Sequence, residues 1–513
     1  MPPPLDPVAL ALAAASLGPG YLRWLRVAQR EHYLPGMTLR FACRWWGSSA
    51  ANAAIFTAGA GGALASLAYP PAALAAAAAA AAGPLGLSVR GKTSPLAWTG
   101  RLKRLAVACS VATGLVVGAA AAAGWTGAVS AAALCTMGAP VIVDAALWLT
   151  RPLERRLLAP FVERARRRLG AVSPRVVAVT GSFGKTSTKG YIAHLLAGSF
   201  SVLATPASFN NAAGLARAVN EHLAPGTEVF VAEMGTYGAG EIAGMCDWVT
   251  PEVAVITAIG PVHLERMGSL EKIAEAKAEI LGKARFAVLA VDYPLLAGLA
   301  TKAEAQGKTV WRGASEGPAD VTATPEGGKL RVRVEKAGLD LLVDVAAEVS
   351  PGNVACAVAA ALCLGAPPEV VALRLDSLPG APHRRSPETS PRGVEVIDDT
   401  YNSNPAGAGA ALRLLAQVGG EGAKRVVVTP GMVELGRLQR EENARFAAQA
   451  GSVASGLVVV GRTNARALAA GARAAGLPLK RVRDRREAVA WVSESLGLGD
   501  AVLYENDLPD HYP

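Results

Sequence analysis

Residues 176–180 are a short apolar run, VVAVT, which passes directly into Gly181, Ser182, Phe183, Gly184, Lys185, Thr186 and Ser187. Residues 188–196 then read as a helix. A strand, a glycine-rich turn and a helix in immediate succession restrict the fold more than anything else in the chain. The turn's backbone N–H groups and the positive end of the helix form a cradle for phosphate. In such a cradle Lys185 reaches the β- and γ-phosphates and Thr186 ligates Mg2+. Thr180, Gly181, Ser182, Gly184 and Ser187 complete the nucleotide-binding candidates. The usual pattern begins with a glycine, and Val179 stands at that place.

The segments that follow fit an open α/β sheet. Residues 229–232 are apolar and end in Glu233, Met234 and Gly235. A carboxylate at a strand's carboxyl end lies beside the nucleotide crevice of such a sheet, so Glu233 is a candidate Mg2+ ligand. Residues 253–259 form a further buried-type strand, with His263 just beyond its end. Residues 270–281 read as an amphipathic helix carrying Lys277, for which the plainer alternative is a solvated face. Residues 319–349 alternate apolar and polar positions and suggest a β-rich edge. Asn353 opens a helical run. Pro379, Gly380 and Pro382 mark a linker. Beyond it, strands near 394–398, 425–429, 457–460 and 501–504 alternate with helices, as in a small, mostly parallel sheet.

The amino-terminal part is different in kind. Residues 1–175 hold 18 Lys and Arg against 5 Asp and Glu, a net of +13; the remaining 33 basic and 36 acidic residues leave 176–513 at −3. The positive charge sits between long uncharged stretches, which argues against nucleic acid as a partner and towards a membrane. Residues 50–68, 72–88, 105–123 and 127–149, with a shorter stretch at 5–22, read as five spans. Every basic residue falls in alternate loops. This places the chain in the cell membrane as a multi-pass protein, in contact with lipid and with its remaining domains in the cytoplasm. The alternative is a buried, alanine-rich helical domain. Asp144 is the one charge within a span. The first segment lacks the basic n-region of a signal peptide. The six cysteines form no CxxC pair and suit neither zinc nor a disulfide framework.

The run TGSFGKTS, FNNAAG, EMGTYGAGEI, GPVHLERMGS and EAKAEIL resembles the central ATPase domain of the Mur ligase family, most of all its MurF branch. Residues 398–405, DDTYNSNP, are similar to the branch's DDSYNANP, and TPGMVELG at 429–436 is similar to GDMAELG. The resemblance covers about 175–505. It implies an α/β fold: a P-loop Mur ligase central domain (173–380) and a Rossmann-like carboxy-terminal domain (381–513). These follow a helical transmembrane region (1–150) and a basic juxtamembrane linker (151–172).

The resemblance also implies roles. Thr186 and Glu233 hold one Mg2+; Glu233, His263 and Lys277 hold a second. The lysine is carbamylated in the family: a desolvated lysine has a lowered pKa and reacts with CO2, and the product is an anionic oxygen ligand of the kind Mg2+ prefers. Asn210, Asn211 and Asn353 join the ATP site, although the family's histidine before that last asparagine is Gly352 here. Arg384, preferred over Arg385, contacts phosphate from the hinge, and Asp399, Tyr401 and Asn402 face the nucleotide from the second domain. Lys185, Lys277, His263 and Arg384 are the catalytic candidates.

The implied reaction is ATP-dependent joining of a carboxylate, as a small molecule or lipid-linked, to an amino-acid or peptide amine through an acyl phosphate. A poly-γ-glutamate-type ligase and an ATPase-driven transporter or sensor are the competing readings. Two departures bear on substrate. Apolar segments stand where the branch has a UDP-sugar domain, and the chain reads YENDLPDHYP where the branch has a KGSR-like motif.

Overall fold

The computed structural model describes residues 6–91, 95–345, 349–379, 387–400, 403–420, 422–509 and 511–513, the side chains of 6–10, 12–14, 16–17 and 387 excepted. Arg384, Tyr401 and Asn402 therefore lie outside the described residues. The chain divides into two compact units, one of residues 1–157, 461–463 and 508–513, the other of 158–460 and 464–507.

The first unit is helical. It contains α1 (Asp6–Arg30), α2 (Met37–Trp46), α3 (Ala50–Ala65), α4 (Ala73–Ala82), α5 (Gly100–Ala121), α6 (Trp125–Met137) and the start of α7 (Ala139–Val172). Small residues let α3 and α4 approach closely: a Cβ at Gly62 would lie 2.6 Å from the Ala75 Cβ, and one at Gly59 2.5 Å from that of Ala79. Arg23 on α1 is only 7% exposed. Its guanidinium donates to the carbonyls of Ala80 (2.6 Å), Ala81 (2.8 Å), Gly83 (3.0 Å) and Leu87 (3.2 Å). These include carbonyls that the end of α4 leaves without intrahelical partners. Trp24, Phe41, Trp45, Leu102 and Val143 form part of the largest apolar cluster in this unit.

The five-span, multi-pass placement does not hold. Among the described residues one helix, Gly100–Ala121, is long and apolar enough to cross a membrane, or two if the pair Trp125–Met137 and Ala139–Val172, bent by 79°, counts as one broken span. The physical reason is length. The stretches at 50–68 and 72–88 fold as helices of 16 and 10 residues, about 24 and 15 Å at ~1.5 Å per residue, short of a hydrocarbon core of ~30 Å. The arginines read as loop charges are also helical: Arg23, Arg26 and Arg30 lie on α1, and Arg40 and Arg44 on α2. The membrane location, and lipid as a partner with it, is withdrawn.

The second unit holds two sheets. In the first part, β1 (Arg175–Thr180), α8 (Lys185–Leu196), β2 (Val202–Ala204), α9 (Ala212–His222), β3 (Val229–Glu233), α10 (Glu241–Val249) and β4 (Val253–Ile256) alternate. They are followed by α11 (Leu264–Met267), α12 (Leu270–Ala278), β5 (Phe286–Ala290), α13 (Pro294–Ala305) and β6 (Thr309–Ala314). Strands β7 (Val321–Glu326), β8 (Lys329–Val334) and β9 (Leu339–Val343) then meander, and α14 (Pro351–Cys363) and α15 (Pro368–Leu375) close this part. The strand order is β2-β3-β1-β4-β5-β6-β7-β8-β9. It is parallel as far as β7 and antiparallel from there. Central strands are buried throughout, as parallel strands covered on both faces must be.

The second sheet orders β10-β11-β15-β12-β13-β14. Its strands are β10 (Pro387–Thr389), β11 (Glu395–Asp399), β12 (Arg425–Thr429), β13 (Gly456–Val460), β14 (Leu479–Val482) and β15 (Ala501–Glu505), with helices α16 (Pro405–Gln417), α17 (Gln439–Ala450), α18 (Ala465–Ala474) and α19 (Arg485–Ser495) between them. All pairings except β10–β11 are parallel. The expected α/β architecture is present, and the strands expected from the sequence are found close to their places; β2, β5, β6, β10 and β14 were not anticipated.

Candidate active site

The turn after β1 is held in a shape only glycine allows. Gly181 has φ 155°, and a Cβ there would sit 2.1 Å from the Thr257 hydroxyl; Gly184 has φ 81°, and a Cβ there would sit 2.5 Å from the Asn353 Oδ1. The Asn353 amide thus lies directly against the loop. Just beyond the neighbouring strand β4, Thr257 donates its hydroxyl to the Phe183 carbonyl at 2.5 Å. The Ser182 N–H donates to the Ala258 carbonyl at 2.8 Å, and the Gly260 N–H donates to the Ser182 hydroxyl at 3.0 Å. Lys185 opens α8 and folds back on the loop, donating to the Gly181 carbonyl at 2.8 Å. Thr180, Ser182 and Ser187 are buried within this frame.

Glu233 ends β3 beside the loop and is 1% exposed. Its carboxylate accepts from the Thr186 hydroxyl at 3.0 Å and from Asn210 Nδ2 at 3.2 Å, and it pairs with Lys189 Nζ at 3.1 Å. Lys189 also donates to the carbonyls of Thr205 (2.8 Å) and Ala207 (2.7 Å). Sequence reasoning missed Lys189. The available signal was its place one helical turn after Lys185, on the same face. Asn211, expected at the nucleotide, caps α9 by accepting from the Gly214 N–H at 2.9 Å.

Lys277 is buried on α12, and its Nζ donates to the Gly181 carbonyl at 3.0 Å. It is not on a solvated face. Burial, with Lys185 as a lesser cause, drives its pKa well below the usual lysine value, so the amine is held in a setting that favours the neutral, nucleophilic form.

His263 sits at the amino end of α11 with φ 60°. Its Nδ1 is hydrogen-bonded to a carboxylate oxygen of Glu434, and its ring packs edge-on against Tyr237 with centroids 4.9 Å apart. Glu434 was not a candidate, although the motif containing it had been noticed.

Asp399 is buried at the end of β11, in register with Glu505 at the end of β15. Glu505 accepts from the hydroxyls of Ser403 and Thr429. Burial pushes its carboxyl up to about 7 against the lowering effect of those hydroxyls, with Asp399 adding to the rise.

The residues fit a divalent cation in part through geometry and in part through chemistry. Thr186 and Glu233 already bring a hydroxyl and a carboxylate together. Among the described residues no group of three or more His, Cys, Asp and Glu is arranged to hold a metal. A divalent ion at Thr186 and Glu233 would need further oxygen ligands beyond these two side chains.

These features define a P-loop phosphate-binding α/β protein whose second, Rossmann-like sheet lies within the same compact unit. Family models for the Mur ligase middle domain and the Mur ligase glutamate ligase domain match residues 179–361 and 384–504. The UDP-N-acetylmuramoyl-tripeptide–D-alanyl-D-alanine ligase of Mycobacterium leprae is 32% identical over 369 residues, covering 64% of this chain and 70% of that protein. The corresponding ligase of Mycobacterium tuberculosis is 34% identical over 304 residues, 56% of this chain. The chain spans 58% of the length of that relative. Among solved structures, MurF from Acinetobacter baumannii superposes with a TM-score of 0.60 at 26% identity, covering 68% of this chain and 77% of that one. MurF from Thermotoga maritima in complex with ADP gives 0.57 at 26% identity, covering 68% and 80%. The chain belongs to the Mur ligase family.

Proposed function

We propose that this chain is an ATP-dependent carboxylate–amine ligase of the MurF type, acting in the synthesis of peptidoglycan precursors. The observation that carries the proposal is the meeting of Thr186, Glu233 and the buried amine of Lys277 at one glycine-rich phosphate loop. The central ATP-binding domain is assigned to 173–380 and the second domain to 381–513.

A substrate carboxylate oxygen attacks the γ-phosphorus of ATP. The bond from that phosphorus to the β,γ-bridging oxygen breaks, and ADP leaves. The amine then attacks the acyl carbon of the mixed anhydride, loses a proton, and expels phosphate. The first step depends on position and charge neutralisation more than on covalent help. Lys185 exchanges the Gly181 carbonyl for β- and γ-phosphate oxygens. Asn353, against the loop, and Asn210, against Glu233, are assigned to orient the nucleotide, as are Arg384, Asp399, Tyr401 and Asn402 from the second domain. When bound, two Mg2+ ions, one at Thr186 and Glu233 and one at Glu233, His263 and carbamylated Lys277, supply further neutralisation of phosphate charge. Seclusion from water protects the acyl phosphate.

By analogy with the relatives' names, the carboxylate belongs to a UDP-N-acetylmuramoyl tripeptide and the amine to D-alanyl-D-alanine. The test supplies the full chain with ATP, Mg2+ and D-alanyl-D-alanine, and with the tripeptide either UDP-linked or lipid-linked. Phosphate release and mass spectrometry report the product. The expected result is a new amide on the UDP-linked acceptor, lost in Lys277→Ala and partly restored by a short-chain carboxylic acid. An amide only on the lipid-linked acceptor would reassign the substrate. ATP turnover without amide on any acceptor would sink the ligase reading in favour of an ATPase of another kind.

A further inference from the structure

A loop of the second sheet domain grips the segment that carries His263. The contact has three parts. The Glu265 N–H donates to the Glu434 carbonyl at 3.2 Å. The Glu434 carboxylate takes His263 Nδ1 on one oxygen and Arg266 on the other, the latter at 2.9 Å. At Gly436, with φ 56°, a Cβ would lie 3.2 Å from the Glu265 nitrogen, so the two backbones touch. His263 and Glu434 are two of the seven non-glycine residues with positive φ among the described residues. Such backbone is retained where surrounding contacts over-determine it. Tyr237 completes the setting: it packs edge-on against the His263 ring, and the Arg266 guanidinium lies 4.9 Å from its ring centroid.

We infer that Glu434 is a positioning residue that sets the tautomer and ring orientation of His263 from the second sheet domain. A carboxylate accepting from Nδ1–H leaves the Nε2 lone pair as the metal-binding atom. The ligand set around Glu233 and Lys277 is then complete only while the 430–436 loop is docked. Arg266 holds the carboxylate's other oxygen at 2.9 Å, so the carboxylate cannot swing away from the ring without also breaking its ion pair with Arg266. This inference rests on the ligase reading only in taking His263 as a metal ligand.

The test uses the full chain labelled with 15N-histidine, with His263 assigned by loss of its signal in His263→Asn. Long-range 1H–15N correlation reads the tautomer, and electron paramagnetic resonance reads Mn2+ binding in the presence of ADP. Wild type is expected to show the Nδ1–H form. Glu434→Ala is expected to shift the ring towards Nε2–H and to weaken Mn2+ binding roughly ten- to a hundredfold, with ADP affinity and thermal stability measured alongside. Glu434→Gln, whose amide oxygen can still accept from Nδ1–H, is expected to keep the tautomer and recover most of the affinity. An unchanged tautomer in Glu434→Ala, with Mn2+ affinity within twofold of wild type, overturns the inference. Failure of the ligase reading is distinguishable, because it shows as absence of amide product in wild type whatever the tautomer.

Discussion

Residues 1–157 and the α/β unit that follows are both rich in apolar side chains, yet they place them differently. The sheets bury their bulky strand residues, as in Val176–Val179 and Val229–Val231. Of the 22 large hydrophobic residues exposed among the described residues, 18 fall within 1–157, including Val107, Val111, Leu115, Trp148 and Leu149. Burial in the sheets follows from period and topology, which tell each residue which way to face. An alanine-rich helix has no strongly preferred face, so its sequence says that it is helical and little about what it packs against. Charge shows the same contrast. The helical unit buries Arg23 against four backbone carbonyls, a structural use. The α/β unit buries Glu233, Lys189 and Lys277 around one glycine-rich loop, the place where the proposed chemistry would occur.

The comparison can be broken or sharpened by substitution. The largest effect is expected at the loop. Lys185→Ala should lower the ligation rate by on the order of 10²–10³ while leaving the melting temperature nearly unchanged, measured by phosphate release and by calorimetry. Comparable loss of stability would mean that Lys185 is structural, like Arg23. Arg23→Ala should do the reverse. It leaves several buried carbonyls without a partner, at a cost of at least ~3 kcal/mol, and hydrogen exchange should show lost protection in α1 and α4 with nucleotide affinity retained.

Next comes the buried acid at the end of β15. Because the Glu505 carboxyl is raised from 4.5 to about 7, its contribution to stability is fully present below about pH 4.5 and lost as pH rises through 7. The difference is on the order of 3 kcal/mol. Denaturant titrations at pH 5 and pH 8 should show this fall in wild type and not in Glu505→Gln. An equal fall in both would place the pH dependence elsewhere. The smallest effect is expected at Asn211, where Asn211→Ala should cost ~1 kcal/mol through the lost cap of α9. If KM for ATP rises severalfold instead, the asparagine serves the nucleotide as first expected.

Much of the α/β unit was legible in advance. The strand–turn–helix at 176–196, the carboxylate closing β3 and four strands of the second sheet follow from local pattern, and local pattern is what a strand or a phosphate loop requires. Lys277 was legible as a motif residue, and its desolvation only through the family resemblance, since the local pattern of an amphipathic helix offers lysine a solvated face by default. The spans failed because apolar length in sequence does not reveal where turns cut it: the helices on either side of Pro70 and Pro71 are only 16 and 10 residues long.

The amino-acid sequence alone determined that a phosphate loop exists, because glycine, lysine and threonine at fixed spacing dictate the backbone and its charge within a few residues. Only the tertiary structure decided that Lys189 would share Glu233 and that Glu434 would hold His263 across 171 positions of chain. Those pairings depend on which strand ends the sheet topology brings together, and no short-range preference encodes that.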